Sequence, residues 1–189
     1  MKEHIGKEYR VIYADPPWSY KFTSPTGSRR PTYCNGASDY YDVMSLDEIK
    51  ALPIAQCAAR DSVCFMWTTV PMLPDALATL NAWGFKYKTM LTWHKLRCKG
   101  MGYWFRGHTE HVLFGVRGRV KAFRSLRHNI VAAKVFKHSQ KPHIFYEYIE
   151  SVVDGPRLEM FARNTRSGWQ SWGNEAPATH QERARARAL

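Results

Sequence analysis

Long apolar runs are missing from this sequence. No segment approaches the roughly 20 consecutive apolar residues that a membrane-spanning helix needs. The first ten residues, MKEHIGKEYR, also lack the apolar stretch of a secretory signal. We therefore expect no membrane association and a cytoplasmic location. With 189 residues, of which 44% are hydrophobic, the chain is long enough for one well-filled core.

Paired cysteines, metal-binding motifs and internal repeats are absent as well. The four cysteines form no CxxC pair, and the histidines form no HExxH motif. We expect free thiols and no bound metal. Without a repeat or an internal linker, the sequence predicts a single domain over residues 1–175. The basic, low-complexity end of the chain, residues 176–189, is predicted to be a tail outside that domain.

Acidic residues are scarce in the middle of the chain. Residues 76–146 hold fourteen lysines and arginines and one acidic residue, Glu110, although the whole chain carries a net charge of +12. A cluster of this kind favours a polyanionic partner, because contacts between basic side chains and phosphates release counterions. The alternative is a solvated basic face. Aromatic residues interleave with the charges in KLRCKGMGYWFRGH, which favours nucleic acid, since bases stack on aromatic rings.

Strand and helix patterns alternate along the chain. Strands are predicted at YRVIYA, SVCFMWTT, FKYKTMLTWHK, EHVLFGVRG, NIVAAKVF and RLEMFAR, and helices at MSLDEIKAL, PMLPDALATLNAWG and PHIFYEYIESVV. Ser45 and Glu48 have capping-box spacing at the first helix, and Gly84 ends the second. The segments from Asp15 to about Ser38 and RGRVKAFRSLRH are expected to be functional loops. This alternation predicts an α/β fold with a largely parallel sheet, whose ligands lie beyond the carboxyl ends of the strands.

The first predicted strand ends in an unusual corner, ADPPW. Asp15 follows the strand directly, and the two prolines that come next restrict the backbone and remove amide donors. The corner therefore offers acceptors, namely the Asp15 carboxylate and the Pro16 carbonyl. Two acceptors suit the exocyclic amine of adenine, whose nitrogen could move toward tetrahedral geometry with Trp18 stacked on the base. The alternative is a strand end that only terminates pairing, with Trp18 filling the core.

Six blocks of the sequence resemble the MT-A70 family of adenine N6-methyltransferases, in the order seen in that family. The similarity covers residues 9–175 and is greatest to small bacterial and phage members. The blocks are DPPW, FMWTT, AWGFKYKTMLTWHK, GYWFRGHTEHVLFGVRG, HSQKPHIFYEYIE and LEMFARNTRSGWQSWGNE.

This resemblance implies a Rossmann-like class I methyltransferase fold, with S-adenosylmethionine as cofactor. The motif order would be permuted, so that the catalytic motif precedes the cofactor motifs. Asp15, Pro16, Pro17 and Trp18 match the catalytic motif. Positions implied to bind the cofactor are His138, Lys141, Pro142, Arg163, Asn174 and Glu175. No GxGxxG follows RLEMFA, so cofactor recognition is expected to rest on side chains.

Aromatic and basic side chains of the predicted loops and strands are the candidates for substrate binding. Arg106 is a candidate for the cation that eukaryotic relatives supply as a lysine at the position of Thr109. Trp67 and Trp93 lie in apolar strands and are expected to be core residues. The predicted substrate-binding residues are Tyr41, Lys95, Trp104, Arg106, Arg117, Arg119, Lys121 and Arg124; the alternative for the arginines is a solvated loop.

Together these patterns predict a methyltransferase that acts on N6 of adenine in DNA. DNA is preferred to RNA because the chain is small and resembles bacterial and phage members. An RNA adenosine methyltransferase, a cytosine N4 enzyme and a catalytically inactive nucleic-acid-binding homologue remain alternatives. The resemblance also leaves a homodimer open.

Overall fold

The computed structural model describes residues 1–18, 44–100, 102, 104–125, 127–135 and 140–173. Most of the first predicted loop and the predicted tail at 176–189 lie outside these residues. Three of the four cysteines are described, Cys57, Cys64 and Cys98, and all three are free thiols, as expected. No helix of the described residues combines the length and apolar composition needed to cross a membrane.

A seven-stranded sheet forms the centre of the described structure. Its order is β5-β3-β4-β2-β1-β6-β7. The strands are β1 (Tyr9–Ala14), β2 (Ala58–Thr68), β3 (Lys86–Leu96), β4 (Thr109–Arg117), β5 (Ile130–Lys134), β6 (Arg157–Met160) and β7 (Gln170–Trp172). β4 pairs antiparallel with β2 and β3, and all other neighbours pair parallel. The prediction of an α/β fold with a mostly parallel sheet is confirmed.

Helices α1 (Leu46–Lys50), α2 (Ile54–Cys57), α3 (Leu73–Ala82) and α4 (Ile144–Val152) connect these strands. The predicted capping box is present at α1: the Ser45 hydroxyl accepts a hydrogen bond from the Glu48 amide, and the Ser45 amide donates to the Glu48 carboxylate. Gly84, at φ +86°, follows α3 as predicted. The short elements α2 and β7 were not predicted from the sequence.

Both faces of β1 are buried. Val11 and Tyr13 pack with Phe145 and Ile149 of α4 on one face, whereas Ile12 belongs to a second cluster on the other. α1 and α3 contribute to that second cluster. A strand covered on both faces carries apolar residues at successive positions, which explains why the run from Val11 to Ala14 shows no alternation; Arg10, near the start of the strand, is exposed.

The pairing directions give the sheet two distinct ends. β1, β2, β3, β5, β6 and β7 all end at one side, which we call the carboxyl edge, and begin at the other, the amino edge. β4 runs the opposite way, so that it begins at the carboxyl edge with Thr109 and ends at the amino edge with Arg117. The side chains near the start of β4 are therefore carried to the same edge as the residue after β1.

Candidate active site

We call the segment from Asp15 to Trp18 the acceptor corner. It lies at the middle of the carboxyl edge. Asp15 follows β1, which is flanked by β2 and β6. The Pro16 carbonyl accepts a hydrogen bond from the Trp18 amide at 2.8 Å, and the Pro17 carbonyl accepts one from the Met44 amide at 3.4 Å. A carbonyl oxygen has two lone pairs, so Pro16 keeps capacity for a second donor. The corner thus holds a carboxylate and a partly used carbonyl side by side.

Trp18 is a core residue in this structure. Its side chain is 7% exposed, and its indole N–H donates to the Trp67 carbonyl at 3.1 Å. The ring packs in the same cluster as Ile12 of β1. This placement favours the core-filling alternative for Trp18 over stacking on a base, because a buried ring offers little face to a ligand. The hydrogen bond to Trp67 fixes the corner against β2, and stacking of Trp18 on a base stays a prediction.

Four charged side chains alternate in sign at the carboxyl edge. The Lys141 ammonium lies 3.2 Å from Asp15 Oδ1 and 3.0 Å from Glu110 Oε2. The other carboxylate oxygen of Glu110, Oε1, accepts a hydrogen bond from Lys95. We call this series, Asp15, Lys141, Glu110 and Lys95, the ionic chain. It joins the end of β1 to β3, β4 and the residue segment that precedes α4.

Burial and pairing compete in setting the pKa values of the ionic chain. Burial raises the pKa of Asp15, and Glu110 adds to that rise, although Lys141 and Arg163 oppose it. Burial alone would also raise the pKa of Glu110, but Lys141 and Lys95 hold it below its ordinary value. Burial would lower the pKa of Lys141, yet Asp15 and Glu110 together raise it. Of Asp15, Glu110 and Lys141, Asp15 is therefore the group whose charged form is disfavoured.

Two buried indoles lie beneath the ammonium groups. Lys141 Nζ is 4.9 Å from the centroid of the Trp67 ring, and Lys95 Nζ is 5.2 Å from that of Trp93. The two tryptophans are 1% and 2% exposed, which confirms the prediction that they are core residues. Cations over aromatic faces gain electrostatic stabilisation. The rings therefore help to hold the two lysines at the carboxyl edge.

The residues predicted to bind the cofactor are only partly described. Lys141 is in the ionic chain, and Pro142 is buried directly after it, with its carbonyl accepting from the Phe145 amide at the start of α4. Arg163 follows β6 and is close enough to Asp15 to lower the pKa of that carboxyl group. Those three are brought to the same edge. The other three, His138, Asn174 and Glu175, lie outside the described residues, as does Tyr41 of the substrate set.

The remaining predicted substrate-binding residues divide into two groups. Lys95 is in the ionic chain, and Trp104 and Arg106 are exposed in the loop between β3 and β4. Arg117 and Arg119 lie at the amino edge, where the Arg117 guanidinium donates to the Ala55 carbonyl and the Arg119 amide to Asp61. Exposed in the segment between them and β5 are Lys121 and Arg124.

The direction of β4 separates these groups. Arg117 is eight residues beyond Thr109, which corresponds to about 26 Å of extended strand. The structure therefore does not bring Arg117 or Arg119 to Asp15. Whether they contact phosphates farther along a polynucleotide stays a prediction.

Glu110 was not identified as a site residue from the sequence, although a signal was available. It is the one acidic residue among the fourteen lysines and arginines of residues 76–146. In the structure its carboxylate bridges Lys141 and Lys95. An isolated acid in a basic segment, at the start of a predicted strand, indicates a side chain that positions cations.

The sequence from β1 to just beyond β7 matches a known family. The MT-A70 family model matches residues 9–175. This chain belongs to the MT-A70 family. The MT-A70 match includes the acceptor corner, the ionic chain and the whole sheet. The candidate active site at the carboxyl edge therefore lies within the matched region.

Individual MT-A70 relatives differ in how much of their length this chain spans. The Type II methyltransferase M.MunI from a Mycoplasma species is 32% identical over 185 residues, covering 90% of this chain and 79% of the relative. A putative N(6)-adenosine-methyltransferase MT-A70-like protein from Medicago truncatula is 29% identical over 181 residues, covering 90% and 27%. The N6-methyladenosine RNA methyltransferase MTA1 from Cryphonectria parasitica is 26% identical over 178 residues, covering 88% and 51%. The chain thus spans most of the first relative, about a quarter of the second and about half of the third.

Proposed function

We propose that this protein transfers a methyl group from S-adenosylmethionine to N6 of adenine in DNA. The observation that carries this proposal is the acceptor corner. Asp15 and Pro16 present a carboxylate and a carbonyl at the middle of the carboxyl edge, beside the cations Lys141 and Arg163. Acceptors without competing amide donors suit an amine substrate. Membership of the MT-A70 family supports the same reaction.

The described residues fit the proposed cofactor. S-adenosylmethionine carries a carboxylate, for which Lys141 and Arg163 supply cations, and hydroxyl groups that need polar partners. The Thr69 hydroxyl, directly after β2, and the Ser171 hydroxyl of β7 are buried without a hydrogen-bond partner in the described part of the chain. His138, Asn174 and Glu175 complete the proposed set. The corner precedes these positions along the chain, which is the permuted motif order that we propose.

The acceptor corner activates the amine by accepting its hydrogens. In the proposed mechanism the N6 amine donates one hydrogen bond to the Asp15 carboxylate and one to the Pro16 carbonyl. The nitrogen then becomes more tetrahedral, and its lone pair is withdrawn from conjugation with the ring and aimed at the methyl group, which the cofactor, once bound, would supply as an electrophile. Most of the rate enhancement comes from this near-attack geometry. The ionic chain keeps Asp15 in place while the amine binds.

Methyl transfer leaves one surplus proton on N6. A carbon–nitrogen bond forms, the carbon–sulfur bond breaks with its electron pair retained by sulfur, and the nitrogen releases one hydrogen. We propose that this proton leaves along the hydrogen bond to Asp15. The raised pKa of that carboxyl group makes it a better acceptor than an exposed aspartate.

The proposed substrate is an adenine outside the base stack. An N6 group inside a duplex cannot reach a protein pocket, so the base is extruded or taken from a single strand. Similarity to M.MunI, most of whose length is matched, favours DNA. RNA is the second candidate, favoured by the similarity to MTA1. For its location we propose the cytoplasm of a bacterium or of a phage-infected host cell, in line with the similarity to M.MunI.

One experiment tests reaction, polymer and catalytic residue together. Wild type, Asp15→Ala and a control, Asp154→Ala, are incubated with S-adenosylmethionine and with DNA or RNA of matched sequence. Asp154 is exposed and precedes β6 at the amino edge. Mass spectrometry then quantifies N6-methyldeoxyadenosine and N6-methyladenosine. We expect methylated deoxyadenosine from wild type and Asp154→Ala, and none from Asp15→Ala.

Calorimetry with S-adenosylmethionine separates loss of catalysis from loss of cofactor binding. Asp15→Ala is expected to keep cofactor affinity, because Lys141 and Arg163 remain. Turnover by Asp15→Ala equal to wild type would refute the role of the corner. Methylation of RNA alone would replace DNA by RNA as the substrate. A wild-type protein that binds neither the cofactor nor modifies either polymer would be a nucleic-acid-binding homologue.

A further inference from the structure

Two adjacent aromatic side chains project from the loop between β3 and β4. Trp104 is 88% exposed and Phe105 is 90% exposed, whereas the other exposed large apolar side chains of the described residues range from 38% to 57%. Large aromatic rings are normally among the best buried side chains, since each offers a large apolar surface. A pair left this open indicates a surface that binds something.

Close contacts join the described residues of this loop. The Lys95 amide donates to the His108 carbonyl at 2.8 Å and closes the base of the loop, and the Arg106 guanidinium donates to the Lys99 carbonyl at 3.3 Å nearer its tip. A Cβ atom at Gly102 would lie 2.0 Å from the Phe105 carbonyl oxygen, so only glycine allows this close approach. Described loop residues on both sides of the aromatic pair are thus held by specific contacts.

The base of the loop is part of the candidate active site. Lys95 precedes the loop and Glu110 follows it, and their side chains are hydrogen-bonded to each other. Glu110 also binds Lys141, which binds Asp15. An unbroken series of contacts therefore connects the acceptor corner with the strands that carry the aromatic pair.

The charge of the loop indicates the partner. From Lys95 to Thr109 the chain contains four cations, Lys95, Arg97, Lys99 and Arg106, and no acidic residue. Cations beside exposed aromatic rings are the combination that binds single-stranded nucleic acid, because phosphates meet the charges while bases stack on the rings. A protein partner would need acidic groups opposite these cations. The same loop in a second copy of this chain has no acidic residue, so two such loops are not complementary in charge.

We propose that Trp104 and Phe105 stack on the bases that flank the target adenine. This inference rests on the proposed function. A base taken out of its stack exposes the faces of its neighbours, and aromatic side chains beside the active site replace the lost stacking partner. The loop thereby holds the strand next to the acceptor corner.

Binding measurements without cofactor test the proposal independently of catalysis. Fluorescence anisotropy follows a short fluorescein-labelled single-stranded DNA of mixed sequence, and an RNA of the same sequence, at several salt concentrations. We expect Trp104→Ala/Phe105→Ala to weaken binding about 5- to 100-fold, the range for loss of base stacking. The slope of log affinity against log salt should not change, because no phosphate contact is removed. Arg106→Ala should reduce that slope by about 0.7.

Two further variants make the test specific for stacking. Trp104→Leu/Phe105→Leu keeps apolar surface but removes the aromatic faces, and it should bind as weakly as the alanine pair. Ile5→Ala, which removes an exposed apolar side chain from the segment that precedes β1, should bind as wild type does.

Three results would overturn the proposal. These are unchanged affinity in the alanine pair, restored affinity in the leucine pair, and loss of self-association in sedimentation with nucleic acid binding unchanged. The last would assign the rings to a second copy of the chain. Failure of methylation with stacking intact would instead remove the proposed function, since these measurements need no turnover.

Discussion

Asp15 and Glu150 are both half-buried carboxylates held by a basic side chain, yet their surroundings act on them in opposite directions. The Glu150 carboxylate accepts two hydrogen bonds from Arg166, at 2.8 and 3.0 Å, and a third from the Trp169 indole at 2.8 Å. The Arg166 hydrogen bonds lower the pKa of Glu150, and those of Trp169 add to the effect. Burial raises the pKa of Asp15 in spite of Lys141.

The difference lies in how fully each carboxylate is satisfied. Arg166 meets Glu150 with a fork of two N–H groups, a geometry that matches a carboxylate. Lys141 brings a single ammonium to Asp15 and shares it with Glu110. A fully paired carboxylate stabilises the fold, whereas a partly paired one keeps acceptor capacity for a ligand. The two sites thus separate structural from functional use of the same chemical group.

The largest expected effect is loss of activity in Asp15→Asn with no loss of stability. The amide presents donors where the N6 hydrogen must be accepted, so turnover should fall at least ~100-fold, the scale for removing one preorganised polar group. A carboxyl group whose pKa is raised by folding loses its stabilising contribution as pH rises through that pKa. At neutral pH the neutral variant should therefore unfold at an equal or higher urea concentration than wild type. A less stable variant with normal turnover would invert the comparison.

Glu150→Ala should do the reverse. It leaves the Trp169 indole N–H, on a side chain only 7% exposed, without its acceptor. The expected loss in free energy of unfolding is about 1–3 kcal/mol, the cost of an unsatisfied buried polar group. Urea denaturation measures that loss, and methyl transfer under native conditions should stay at the wild-type rate. Loss of turnover without loss of stability would place Glu150 in the active site.

The pH dependence of turnover should respond to the neighbours of Asp15. Activity requires the ionised carboxylate, so turnover falls as pH drops through the pKa of Asp15, which lies above the ordinary range for aspartate. Lys141→Met removes a charge that lowers this pKa and should move the acid limb to higher pH. Glu110→Gln removes a charge that raises it and should move the limb to lower pH. Turnover is measured at saturating cofactor and nucleic acid.

Shifts of the acid limb in the same direction for both variants would show that Asp15 is not the titrating group. Glu150→Gln serves as the matched carboxylate control, since its own hydrogen bonds are to Arg166 and Trp169. It should leave the acid limb where wild type has it.

Glu150→Gln should cost less stability than Glu150→Ala. The amide oxygen, in the place of Oε1, still accepts from the Trp169 indole, whereas the charge and the hydrogen bond that Oε2 accepts from Arg166 are lost. The ion pair is about a third exposed, so its loss should cost at most about 1 kcal/mol. Comparing Glu150→Gln with Glu150→Ala by urea denaturation separates the hydrogen bond from the charge. Equal losses in the two variants would assign the stabilisation to the ion pair alone.

Local sequence patterns predicted most individual elements. The β1 strand, the capping box of Ser45 and Glu48 and the end of α3 at Gly84 depend on neighbouring residues, and all three are present. The reversed direction of β4 was not predicted, because the apolar pattern of EHVLFGVRG does not distinguish a parallel from an antiparallel strand. The signal lay in the preceding loop: a parallel connection usually contains a helix, and the segment between β3 and β4 has no helical pattern.

The site was less accessible to sequence reasoning than the fold, because its residues meet through sheet order. Asp15 follows from the corner alone, but its contact with Lys141 depends on where α4 begins relative to β1. Arg117 was predicted to bind substrate because it lies in the basic segment of residues 76–146. Glu110 and Arg117 are close in the chain, but β4 is extended between them, so they lie at opposite edges of the sheet.

The candidate catalytic residues and the proposed substrate contacts lie on different parts of the sheet. The acceptor corner follows β1, whereas Trp104 and Phe105 lie in the loop between β3 and β4. The acceptor corner depends on a strand whose two faces are buried, so nearly any change there disturbs the core. The loop that carries Trp104 and Phe105 joins two strands that are already paired with each other. Lengthening such a connection costs little free energy. Variation in this loop can therefore alter the proposed contacts with nucleic acid while the acceptor corner stays unchanged.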